Sequence, residues 1–259
     1  MKNDVTKLLL FFPFALLSFT VQAQHATVDS ILNLHFEKVG GIEAWKQLNS
    51  YILTQSAIQV SFSPRSITDY AQDEKAEEHT KVTYFQYPHK YRIEMSEDGK
   101  IDAIFLLTAA ETKGYNLFGG ADPGSGITIP EDMPHLLNKQ PFHTLGPTHF
   151  IVLKKAEKEM EYKGLVKAYG KDCHQLLFND KKFNNKTNLY FDAETYLIHA
   201  ISDPERPEWH KLYADYHNED GIIIPHTITT YKEDALIERF NTLEIKIDEV
   251  LDGNIFLGR

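Results

Sequence analysis

Apolar and polar positions along this chain follow first one period and then another. From Thr27 onward, Val28, Ile31, Leu32, Leu34, His35, Phe36 and Val39 recur at helical spacing, and Thr27 or Asp29 can accept from the free amides of a first turn. Gly40-Gly41 interrupts the pattern, and Ile42 to Leu48 resumes it as a short second piece. The predicted element is an amphipathic helix whose apolar stripe covers the face of a sheet.

Beyond Ser50 the period becomes two. In Lys90 to Ser96 every odd residue is apolar or aromatic and every even one polar, the clearest half-buried strand in the chain. Asp98-Gly99 then forms a hairpin turn, and Ile101 to Thr108 makes the return strand. Tyr51–Phe62, Lys81–Tyr87 and Lys113–Phe118 read as strands of the same series. A second series comprises Lys163–Tyr169, Cys173–Asn179, Asn188–Asp192, Tyr196–Ser202, Trp209–His217, Ile222–Tyr231 and Ile237–Asp248. Tight turns such as Asn179-Asp180 and Glu219-Asp220-Gly221 separate them, which favours one large curved antiparallel sheet or an open barrel.

Between the two series the pattern is different. Gly119 to Pro147 is rich in Gly and Pro yet carries Met133, Leu136, Leu137, Phe142 and Leu145, and Thr148 to Tyr162, with Phe150 on its apolar side, reads as a helix. The expectation is a central helical lid, at about 119–162, inserted between two halves of one sheet. A two-domain split near residue 125 is the competing view, and neither half has enough strands to close its own core. At the start, Lys2 and Lys7 flank a polar opening, Leu8 to Val21 is apolar, and Val21-Gln22-Ala23 suits a cleavage site. That run is shorter than the ~20 residues a spanning helix needs. Residues 1–23 therefore read as a secretory signal peptide and 24–259 as a single domain, with no integral membrane span after processing.

Composition narrows the function. Of 259 residues 42% are hydrophobic, too apolar for a disordered chain, and the formal net charge of -10 argues against a nucleic-acid partner. Cys173 is the only cysteine, so an internal disulfide and a cysteine-based zinc site are excluded. The twelve histidines show no H-E-x-x-H spacing, although His143 and His149 are near each other and Asp203, Glu205, Glu208 and His210 crowd one loop. Gly119 to Gly126 lacks the Gly-Lys-Ser/Thr ending of a phosphate loop, and Ser125 lacks the G-x-S-x-G setting of a nucleophile elbow. No catalytic set, no metal site and no cofactor are assigned on these grounds.

Several short blocks carry a resemblance. They are Val39-Gly40-Gly41-Ile42-Glu43-Ala44-Trp45, Tyr87-Pro88-His89-Lys90-Tyr91-Arg92-Ile93-Glu94-Met95, Gly170 to Leu176, Tyr190 to Leu197, and Asp215-Tyr216 with Asp220 to His226. In this order the chain resembles the exported lipoprotein carriers of the LolA/LolB superfamily. The resemblance implies an α+β fold, a half-open antiparallel β-barrel whose apolar cavity accepts acyl chains under an N-terminal helix and a lid. Where the carrier that typifies the family has an arginine before the proline of its early turn, Tyr87 precedes Pro88 here. A tyrosine hydroxyl donates a hydrogen bond but is uncharged at neutral pH, so the resemblance implies a lipid or hydrophobe binder without that latch.

A sheet curved around such a space would line it with alternate residues. The expected ligand-binding set is Tyr87, Tyr91, Ile93 and Met95, Phe105 and Leu107, with Met133, Leu136, Leu137, Phe142 and Phe150 from the lid. Methionines and aromatic rings adapt to irregular apolar guests. The expected partner is a lipid, a lipoprotein acyl chain or another hydrophobic ligand in the periplasm. The alternative is a structural or protein-interaction module with an envelope protein as its partner.

Overall fold

The computed structural model describes residues 26–60, 76–86, 90–107, 112–116, 157–181 and 185–257. Twelve strands make one sheet. The first series is β1 (Ser50–Val60), β2 (Ala76–Gln86), β3 (Lys90–Glu97), β4 (Lys100–Leu107) and β5 (Thr112–Asn116). The second is β6 (Met160–Ala168), β7 (Lys171–Asp180), β8 (Asn185–Asp192), β9 (Ile198–Asp203), β10 (Arg206–Glu219), β11 (Ile222–Lys232) and β12 (Ala235–Ile247). Their spatial order is β5-β4-β3-β2-β1-β12-β11-β10-β9-β8-β7-β6. Each series is thus a simple meander, and the antiparallel pairing of β1 with β12, from Tyr51↔Ile247 to Gln59↔Glu238, joins the two. The sheet is open, with β5 and β6 at its edges among the described residues.

Local chemistry explains the hairpins. At the β10–β11 turn Asp220 and Gly221 have φ of 51° and 89°, between the paired residues Glu219 and Ile222. Positive φ at both central positions gives the turn a twist that matches the right-handed twist of its strands, and aspartate and glycine tolerate it best. Register shifts at Thr54/Gln55 in the β1–β12 ladder and at Thr230/Tyr231 in the β11–β12 ladder add local bends to β12.

Helix α1 (Val28–Lys38) lies against the second series. Thr27 caps it: its Oγ1 accepts from the Ser30 amide at 3.1 Å, and Ser30 Oγ accepts from the Thr27 amide at 2.8 Å. The buried stripe is Ile31, Leu32, His35 and Phe36, continued by Val39 beyond the helix end. It packs into a core with Leu176, Phe178, Leu189, Phe191, Ile198 and Tyr213, where each fully buried apolar side chain contributes roughly 1.5–3 kcal/mol. The Val39 carbonyl then accepts twice, from Trp45 Nε1 of α2 (Ile42–Gln47) at 2.9 Å and from the Ile223 amide of β11 at 3.1 Å. This pair of bonds fixes both helices to the sheet.

The opposite face of β3 is covered by the chain end. Arg92 pairs with Glu94 at 2.6 Å and donates through Nη1 to the Ile255 carbonyl at 2.9 Å, in the short 3-10 turn Gly253–Phe256.

One sequence expectation is corrected here. The helix predicted over Thr148–Tyr162 does not reach its end, because Glu157–Glu159 is a single 3-10 turn and Met160 begins β6. Met160, Tyr162 and Gly164 alternate in burial with Glu161, Lys163 and Leu165, so the period of two wins over the helical one. The remainder of the predicted lid, residues 119–156, and the signal segment 1–23 lie outside the described residues.

Candidate functional site

Cross-strand register sorts the core-facing side of β1–β4 into rows. The first row is Tyr51–Phe85–Tyr91–Leu107, the second Leu53–Thr83–Ile93–Phe105, and the third Gln55–Lys81–Met95–Ala103. Ile247, Ile245 and Thr242 of β12 extend the same rows. Partners in register hold positions on one face, so these backbone positions line up across five strands.

The patch grades from apolar to polar. In the first row Tyr51 and Phe85 stack with ring centroids 5.1 Å apart, and Phe85 meets Tyr91 at 4.8 Å. Tyr51 and Phe85 are fully buried, while Leu53, Tyr91, Ile93 and Met95 are half-buried. Burial, together with the neighbouring Tyr91, raises the Tyr51 hydroxyl well above the usual phenol range. In the third row Lys81 reaches across so that its Nζ stands 4.4 Å from the Phe240 ring centroid on β12. Burial pulls the Lys81 ammonium down to about 8; Glu238 opposes the shift and Lys211 adds to it. Lys211 on β10 is lowered by burial too, again against Glu238. Between them, Thr230 on β11 pairs in register with both Lys211 and Glu238.

Of the sequence-predicted ligand residues, Tyr91, Ile93 and Met95 share this face, and Phe105 and Leu107 hold register positions opposite Ile93 and Tyr91. Those five backbone positions are brought together. Tyr87, Met133, Leu136, Leu137, Phe142 and Phe150 lie outside the described residues. Sequence reasoning missed Tyr51, Phe85, Gln55, Lys81, Lys211, Thr230 and Glu238. A signal for the charged ones existed: Lys81 lies in step with the buried Thr83 and Phe85, Lys211 with the buried Tyr213, and Glu238 with the buried Phe240.

The α1 side of the same face is filled. Beside His35, Trp45, Tyr216 and Ile223 there is a crevice with room for about one water molecule. His35 lies fully buried against the Phe191 ring at 5.1 Å and donates through Nδ1 to the Tyr196 carbonyl at 2.8 Å. Since a carbonyl only accepts, Nδ1 carries the proton, and burial lowers the imidazole to about 4 despite that hydrogen bond.

Other polar groups of interest are elsewhere. His210, expected to crowd with acids, instead stacks between Tyr169 at 4.3 Å and Tyr231 at 5.3 Å. Asp203 accepts from the Glu205 amide and from Arg206, closing its own turn. His217, Glu219 and His226, not singled out in the sequence, place one ligand atom each within 4.8 Å of one another. They are engaged in hydrogen bonds, His226 with Glu219 at 2.8 Å and His217 with Asp215 at 2.9 Å. Cys173 is buried, and its thiol is pushed up to about 11 by burial and by Asp192.

No protein-family model and no curated protein matches the sequence. Solved structures do match. The LolA superfamily protein of Nitrosomonas europaea aligns with a TM-score of 0.54 at 11% identity, over 89% of this chain and 97% of that one. A DUF1329 family protein from Desulfovibrio piger gives 0.51 at 13% identity, over 88% and 96%. A domain from Vibrio parahaemolyticus named for outer membrane lipoprotein sorting gives 0.51 at 13% identity, over 90% and 100%. At such identities the likeness shows the fold, and the fold is LolA-like.

Proposed function

We propose that this LolA-like chain is an exported, non-catalytic carrier or receptor that holds a lipid, a lipoprotein acyl chain or another long apolar molecule against the core-facing side of β1–β4. One observation carries the reading: Leu53, Tyr91, Ile93 and Met95 form a half-buried apolar patch beside the sealed aromatic row of Tyr51 and Phe85. Carriage needs no reacting group. Each methylene withdrawn from water gains roughly 0.8 kcal/mol, so a dry, shaped surface suffices. The names of two structural neighbours, a LolA superfamily protein and a lipoprotein-sorting domain, support the same class of ligand. In this proposal residues 1–23 direct export to the periplasm, and 119–156 supply the cover, with Met133, Leu136, Leu137, Phe142 and Phe150 as its apolar contacts.

The test uses protein purified without detergent from the periplasm of an expressing cell. Native mass spectrometry should show a co-purified amphiphile, and a fluorescent fatty acid should bind the delipidated protein. Ile93→Glu should abolish uptake while the unfolding midpoint changes little, because position 93 is only half-buried. A second reading, a structural or protein-interaction module, is favoured by the solid packing of α1 against β7–β11. It predicts no bound amphiphile and no uptake.

A further inference from the structure

Beyond Phe240 the core-facing side of the sheet turns cationic. Lys81 of β2 lies opposite Gln55 of β1, which lies opposite Thr242 of β12. Lys211 of β10 lies opposite Thr230 of β11, which lies opposite Glu238 of β12. Phe240 stands two residues from both Glu238 and Thr242, and the Lys81 ammonium, 4.4 Å from its ring, bridges the two rows. Lys232, two residues beyond Thr230, adds a further cation with its Nζ 5.7 Å from the Trp209 ring.

The cluster is incomplete. Among the described residues Glu238 is the carboxylate that acts on both Lys81 and Lys211, and neither lysine makes a hydrogen bond or ion pair within 4.0 Å there. Thr230 is 9% exposed, and its Oγ1 is buried with no hydrogen-bond partner. Withdrawing two like charges from water without matching anions is unfavourable, and an unsatisfied buried hydroxyl adds to it. An oxyanion placed among these groups would supply the missing negative charge and accept from both ammonium groups and from the Thr230 hydroxyl.

We infer that this cluster is a headgroup site for a negatively charged amphiphile, the oxyanion seated among Lys81, Lys211 and Thr230, and that the apolar tail runs along Met95, Ile93 and Leu53 toward Tyr91. The inference rests on the carrier reading and names its ligand class. The geometry fits, since Lys81 and Met95 share a row and the aromatic row lies four residues further along the strands, about 13 Å at 3.3 Å per residue. Glu238 acts on both lysines and offsets only part of their charge, which leaves the remainder for the ligand. The chemistry is common to a fatty-acid carboxylate and a lipid phosphate.

Binding of a fluorescent long-chain fatty acid is compared with that of the alcohol bearing the same chain, for the full-length processed protein and for Lys81→Met, Lys211→Met and Glu238→Gln. Charge-assisted hydrogen bonds of this kind change affinity by about ten- to a hundred-fold. The acid should bind at least about tenfold more tightly than the alcohol; each Lys→Met variant should lose that preference and keep its affinity for the alcohol; Glu238→Gln should strengthen acid binding. Methionine is apolar and of similar length, so these variants are expected to fold, and unchanged alcohol binding reports that they do. Lysophosphatidic acid in a parallel arm identifies the source: tighter binding than the fatty acid assigns phosphate, weaker binding assigns carboxylate. Equal binding of acid and alcohol, or a preference that survives both Lys→Met changes, overturns the headgroup site while leaving the carrier reading standing. If neither acid nor alcohol binds, the carrier reading falls and the headgroup site with it.

Discussion

His35 offers the sharpest energetic test of how the first helix is held. It is 1% exposed, its Nδ1 donates to the Tyr196 carbonyl at 2.8 Å, and burial lowers its imidazole from 6.5 to about 4. A tenfold change in proton affinity is worth about 1.4 kcal/mol, so protonation from neutral pH down to pH 4 favours the unfolded chain by about 3 kcal/mol. The sign follows from proton binding. Between about 6.5 and about 4 the unfolded chain takes up a proton that the folded chain refuses, so stability falls as pH falls through this window, and its full benefit is present above 6.5. In His35→Leu this titration is gone. The variant also leaves the Tyr196 carbonyl without its donor, at a cost of about 1–3 kcal/mol at neutral pH. Urea unfolding followed by tryptophan fluorescence, at neutral pH and near pH 4, measures both proteins. The wild-type advantage should shrink by about 3 kcal/mol on acidification and vanish or reverse, while the other histidines and carboxylates cancel in the difference. A difference between the two proteins that is independent of pH would refute the reasoning.

Three further outcomes are expected. Gly40, at φ 102°, would place a Cβ 2.0 Å from the Gly221 carbonyl oxygen, so Gly40→Ala should separate the helix end from the β10–β11 turn and lower stability by about 2 kcal/mol or more in the same urea assay. Burial alone would raise the Asp192 carboxyl, but Lys171 at 2.8 Å and the Thr195 and Glu194 amides hold it at about 2. Its stabilisation is therefore complete above about 3.8 and lost as pH falls toward 2, and Asp192→Asn should remove that acid-dependent loss while costing about 1–3 kcal/mol at neutral pH. The Cys173 thiol, fully buried and raised to about 11, should resist an aromatic disulfide reagent in the native protein and react at once in urea; rapid native labelling would contradict its placement.

How much of this was legible in the sequence depends on the range of the interaction. Hairpins are local: the alternation at Lys90–Ser96 and the turns at Asp98-Gly99 and Asp220-Gly221 place β3, β4, β10 and β11 within a few residues of where they lie. The β1–β12 ladder joins residues about two hundred positions apart, and nothing local in Tyr51–Gln59 specifies Ile247–Glu238 as its partner. Met160 to Tyr162 fits either period because it holds so few apolar residues, and the strand partner Leu176–Phe178 decides for β. The shared face of Tyr91, Ile93 and Met95 was readable because the three alternate along one strand. The cationic cluster was not, since Lys81 on β2 joins Lys211 and Glu238 only after β1 and β12 pair. His35 sits in the core as its place on the helical stripe implies, whereas nothing local in the sequence shows that His217 and His226 stack at 4.1 Å across a hairpin.

The central claim is that the face of β1–β4 lined by Leu53, Tyr91, Ile93 and Met95 receives an apolar guest. Its most direct test is nuclear magnetic resonance of the processed protein, with methyl groups of Leu53, Ile93 and Met95 labelled and a spin-labelled fatty acid added. The account predicts paramagnetic broadening confined to these methyls and their neighbours, with Ile31 and Leu32 on the buried stripe of α1 unaffected. Uniform spectra with no broadening at Leu53, Ile93 or Met95 would contradict it.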